Sequence, residues 1–100
     1  MTVDREHVLA KLREQREHIE QRYGLRMIGL VGSVARGDAN EESDVDVFVD
    51  IVRVPSLFDI SRAERDLQQA AGLLMPVEFV FREDLRPATR RRMERDFIPL

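Results

Sequence analysis

The chain has 100 residues, 43% of them apolar and 35% charged, which fits one globular domain and excludes the low-hydrophobicity composition of a disordered chain. It has no cysteine, so a disulfide framework, a thiolate metal site and a cysteine nucleophile are all excluded. Sixteen basic against nineteen acidic residues leave a net charge of −3, which weighs against a sequence-indifferent nucleic-acid binder.

Residues 1–11 are charged and helix-like, without the apolar stretch of a signal peptide. No apolar run reaches the ~20 residues of a membrane span, so a cytoplasmic protein is expected. Residues 4–23 read as a helix, because Val8, Leu12, Ile19 and Tyr23 form one apolar stripe. Thr2 or Asp4 can cap its start, and Gly24 is placed to end it. Leu25–Val31 is a short apolar run ending at Gly32-Ser33, and is expected as a buried strand. Residues 33–37 make one or two helical turns and residues 38–43 a polar loop.

Val45, Val47, Val49 and Ile51 then alternate with Asp44, Asp46, Phe48 and Asp50. That period of two predicts a strand with one apolar and one mostly acidic face. Ser56-x-x-Asp59 resembles a capping box with a short acid. Leu57, Ile60, Ala63, Leu67, Ala70, Ala71 and Leu74 continue at helical spacing. Pro76 resets the chain, residues 77–81 read as a third strand, and Pro87 suits the first turn of a helix over residues 87–96. The expected fold is α/β (α+β), a small mixed sheet in the order α-β-α-β-α-β-α. The whole of residues 1–100 is expected to form a single domain.

Two features carry chemistry. Gly32-Ser33 lies at a strand-to-helix turn, where unpaired backbone N–H groups and the positive end of the helix dipole receive anions. The simpler reading of Gly-Ser at such a place is only a turn. Asp44-x-Asp46 projects two carboxylates to one face of a strand. They repel, and aspartate is a poor strand former, so the pair asks for a cation. Hard oxygen ligands favour Mg²⁺ or Mn²⁺. Glu78, alone among apolar residues of the third strand, sits at an edge or has a metal or cationic partner. If the second and third strands pair, Glu78 joins Asp44 and Asp46. Three carboxylates facing a phosphate cradle suit two-metal phosphoryl-transfer chemistry.

The run Gly32-Ser33-Val34-Ala35-Arg36-Gly37-Asp38 followed by Ser43-Asp44-Val45-Asp46-Val47-Phe48-Val49 resembles the signature of the DNA polymerase beta-like nucleotidyltransferases. It is most similar to their smallest members, the minimal nucleotidyltransferases. The resemblance implies that Gly32 and Ser33 hold the triphosphate of a nucleotide. It implies that Asp44 and Asp46 ligate two Mg²⁺ ions, and that Glu78 completes a metal site and helps deprotonate the acceptor hydroxyl. Arg36 matches the motif arginine; a phosphate contact and a pair with a nearby carboxylate both suit it. Two positions depart from the family pattern: Glu78 stands where Asp is usual, and Val31 where an aromatic residue is common.

The implied activity is transfer of AMP from ATP to a hydroxyl. About 100 residues leave little chain for a separate acceptor-binding domain, so a protein acceptor is expected to bring its own recognition surface. Minimal nucleotidyltransferases of this kind commonly act as antitoxins, adding AMP to a tyrosine of a HEPN ribonuclease toxin. Two alternatives remain: an antitoxin or regulator acting by contact alone, which Glu78 favours, and a transferase for an aminoglycoside-type small molecule. The expected partners are ATP and a HEPN-type toxin, in a homo-oligomer or a hetero-oligomer with the toxin, with no membrane and no direct nucleic-acid binding. His7 and His18 are expected at the surface, too far apart to share a metal. Arg90, Arg91 and Arg92 are expected either on a solvated face or against an acidic partner surface or the triphosphate.

Overall fold

The computed structural model describes residues 3–100. Helix α1 (Arg5–Tyr23) starts at Asp4, whose carboxylate accepts from the N–H groups of Glu6 and His7. Thr2, the other expected cap, lies outside the described residues. Gly24 ends α1 in the left-handed conformation (φ 70°), donating its N–H to the Glu20 carbonyl. Strand β1 (Leu25–Val31) follows directly, then the short helix α2 (Gly32–Arg36) and strand β2 (Val45–Ile51). Helix α3 (Leu57–Ala70) opens with the reciprocal capping box of Ser56 and Asp59. Strand β3 (Val77–Val80) leads through a 3-10 turn (Arg82–Asp84) to helix α4 (Pro87–Arg95) and a two-residue strand β4 (Ile98–Pro99).

The sheet order is β3-β2-β1-β4. Strand β1 is antiparallel to β2 and β4, while β2 and β3 are parallel, so the sheet is mixed as expected. Strand β4 was not foreseen. Two residues are too few to show a period, and their pairing with Gly29 and Leu30 is a long-range event.

Helices α1 and α3 cover one sheet face. Val8, Leu12, Ile19, Ala63 and Leu67 meet Leu25, Met27, Leu30, Val45, Val47 and Val49 in one buried cluster. The expected stripes thus form the core, with four exceptions. Ile51, Leu57, Ala70 and Leu74 are exposed: Ile51 ends β2, Leu57 and Ala70 are the first and last residues of α3, and Leu74 lies in the turn beyond that helix, which ends at Ala70 although the apolar spacing continues to Leu74. Phe48 is the converse case: it lies on the acidic face yet is 1% exposed. The ring of Phe97 covers it, with centroids 6.0 Å apart, and a Cβ on Gly29 would collide with that ring. Gly29 therefore admits an aromatic side chain onto the second sheet face. No helix is long and apolar enough to cross a membrane among the described residues.

Candidate functional site

The second face of the sheet carries the acidic residues. Register puts Val31 opposite Asp46 on one side and Glu78 opposite Asp46 on the other. Parallel pairing of β2 with β3 thus sets two carboxylates side by side. Asp44 stands just before β2 and is exposed, rather than within the strand. One ligand oxygen each from Asp44, Asp46 and Glu78 lies within 4.8 Å of the others. This is the one such acidic group of three found among the described residues.

Electrostatics at the group are unfavourable without a cation. Burial raises the Asp46 pKa, and the negative charges of Glu78 and Asp44 raise it further, against a smaller opposing effect of Arg36, to about 6. A divalent ion held by hard oxygen donors would relieve that repulsion, so the residues fit such an ion.

The turn between β1 and α2 closes over Asp46. Gly32 has φ +77°, and a Cβ there would collide with Asp46 Oδ2. Glycine is required by both the backbone and the carboxylate behind it. Ser33, next to it, is half-buried, and its hydroxyl has no hydrogen-bond partner among the described residues. Arg36 lies at the far end of α2. Its guanidinium donates to Asp38 (3.1 Å) and to Asp96 (3.3 Å), so in this structure it pairs with carboxylates.

Three positioning residues carried no usable signal in the sequence. Glu64 on α3 accepts the Phe79 N–H at 2.7 Å, which satisfies a backbone donor on the outer edge of β3 beside Glu78. Burial raises the Glu64 pKa, the Phe79 N–H opposes this, and the charge of Glu78 adds to it. Phe97 covers Phe48, one step along β2 from Asp46. Arg82 lies over the Phe48 ring at 5.9 Å and reaches Asp50 at 3.4 Å. His7 and His18 are exposed, and His18 pairs with Asp66 at 3.0 Å, away from the acidic group.

Residues 12–100 match the nucleotidyltransferase domain family. The chain is 32% identical over 93 residues to the protein adenylyltransferase MntA of Thermococcus cleftensis, covering 93% of this chain and 92% of that protein. A solved structure of a candidate minimal nucleotidyltransferase superposes with a TM-score of 0.68 at 35% identity, covering 92% of this chain and 95% of that one. A toxin–antitoxin structure solved with AMP-PNP shares the fold at 16% identity, with a TM-score of 0.63 over 97% of this chain and 72% of that one.

Proposed function

The chain belongs to the nucleotidyltransferase domain family, and on that premise we propose that it transfers AMP from ATP to a hydroxyl of a partner protein. The observation that carries this is the convergence of Asp44, Asp46 and Glu78 within 4.8 Å, beside the Gly32–Ser33 turn. Residues 1–100 act as one catalytic domain in this reading, at work in the cytoplasm. Similarity to MntA supports a protein acceptor. The partner in this reading is a HEPN-type toxin, the acceptor group a tyrosine hydroxyl, and the chain its antitoxin.

Each residue then has a task. The Gly32–Ser33 backbone N–H groups and the Ser33 hydroxyl donate to phosphate oxygens of ATP. Asp44, Asp46 and Glu78 hold Mg²⁺, which when bound would neutralise charge on the phosphates. Glu78 is exposed at the edge of the sheet, where it can accept the proton of the acceptor hydroxyl. The acceptor oxygen bonds to the α-phosphorus, the bond from that phosphorus to the bridging oxygen breaks, and pyrophosphate leaves. Arg36 stays close enough to act on Asp46 while anchored by Asp38 and Asp96.

The test is intact-mass spectrometry of a purified HEPN-type toxin that binds this protein, after incubation with it, ATP and Mg²⁺. The expected result is a gain of one or more AMP groups, abolished by EDTA and by Asp46→Asn. A partner that is neutralised yet unmodified refutes catalysis and leaves inhibition by contact.

A further inference from the structure

Helix α4 buries none of its nine residues. A helix that short is marginal in isolation and normally persists by packing an apolar face. Here Pro87 starts it, Arg36 reaches Asp96 at its end, and Phe97 anchors the following residue on Phe48. Thr89 and Met93 form its half-buried side. At 100° per residue, Arg91, Arg92 and Arg95 fall on the opposite and flanking faces, and all three are exposed.

These arginines have no compensating charge. Arg90 pairs with Glu94 at 2.8 Å, whereas Arg91, Arg92 and Arg95 have no carboxylate partner among the described residues. Spacings of three and four residues bring like charges together, which costs stability. The helix dipole offsets part of that cost at a C-terminus. Arg92 and Arg95 also line a cavity of about 520 Å³ with Arg36, Met93 and Asp96. Arg36 is already engaged there, so Arg92 and Arg95 are the available donors. Arg36 connects the two places, pairing with Asp96 at the end of α4 while its charge acts on Asp46.

From this arrangement we propose that the arginine face of α4 is a docking surface for an acidic patch on the acceptor protein, with one carboxylate seated between Arg92 and Arg95. The inference rests on the reading of the acceptor as a protein. Guanidinium groups suit carboxylates by their paired donors. A nucleic-acid backbone suits the surface less well, because a long polyanion would run beyond the three arginines onto a chain of net charge −3, whereas a single carboxylate needs only Arg92 and Arg95.

Two tyrosine-containing peptides test this, one flanked by glutamates and one by lysines, with a single-stranded RNA of similar charge as the third probe. Binding to the full chain is read by fluorescence anisotropy, and AMP transfer separately by mass spectrometry. The glutamate peptide is expected to bind in preference to the other two probes, with affinity falling as salt rises. Arg91→Glu/Arg92→Glu/Arg95→Glu should weaken it about tenfold or more at low salt, and the triple glutamine variant by less, with ATP affinity and thermal unfolding unchanged. Unchanged affinity in both variants, or preference for the lysine peptide or for RNA, overturns the proposal. Peptide binding lost in the glutamate variant without AMP transfer in any sample would uphold the docking surface while refuting the catalytic reading. AMP transfer with unaltered KM in the charge-reversed variant would do the opposite.

Discussion

Asp46→Asn should make the metal-free protein more stable while destroying its activity. The substitution keeps the shape of the side chain and removes one of three crowded negative charges. In the folded protein the pKa of Asp46 stands at about 6 against an ordinary value of 3.8, mainly from burial and then from Glu78 and Asp44. Ionising it is therefore worth about 3 kcal/mol against the folded state. Asp46 is only half-buried, so water screens part of this, and about 1–2 kcal/mol is expected. Because the folded pKa lies above the unfolded one, the penalty is complete above about pH 6. It shrinks as pH falls from there towards 3.8 and is absent below. Urea denaturation at pH 8 should show the variant ahead by about 1–2 kcal/mol, and thermal unfolding should rise by about 4–8 °C per kcal/mol. At about pH 4 the two proteins should nearly coincide. Adding Mg²⁺ and ATP should raise the stability of the wild type more than that of the variant. AMP transfer should fall about a thousandfold or more in the variant. A variant no more stable than wild type at pH 8, or equally ahead at pH 4, would refute the electrostatic argument.

Glu78→Asp is expected to slow transfer about a hundredfold, because the longer side chain already reaches the other two carboxylates and shortening it withdraws the group by ~1.5 Å. A faster Glu78→Asp enzyme, read by the same mass assay, would show that glutamate is the misplaced residue. Glu78→Gln should be nearly inactive, with partner binding intact by size-exclusion chromatography. Ser33→Ala should weaken ATP binding in calorimetry by about 0.5–1.5 kcal/mol, or up to ~3 if the contact is to a charged oxygen, without changing the unfolding midpoint; an unfolded variant would mark the hydroxyl as structural. Gly32→Ala must place a Cβ against Asp46 Oδ2 at a positive φ, so a loss of about 1–3 kcal/mol is expected in urea denaturation, together with lost ATP binding.

Local chemistry sufficed for much of the fold. The alternation of Val45, Val47 and Val49 is a property of a pleated chain, and it placed those side chains in the core unaided. Asp4, Gly24, Ser56 and Asp59 act on backbone groups within four residues, so their capping roles could be read directly. The Gly32 to Val49 motif is similarly compact, and it pointed to the family that residues 12–100 match. Other features depended on partners distant in sequence. Asp46 and Glu78 are 32 residues apart, and only the parallel register of β2 and β3 makes them neighbours. The burial of Phe48 depends on Phe97 and on the missing Cβ of Gly29, three residues that no single period connects. Ile51, Leu57 and Leu74 keep the apolar rhythm yet stay exposed, since a rhythm specifies a face but not what lies over it. Arg36 could equally meet a phosphate or a carboxylate until the end of α4 brought Asp96 within 3.3 Å. Periodicity and capping are local and sequence-readable; register, cover and ion pairing come from the packing of distant segments, and that packing decided which side chains stand around the acidic group.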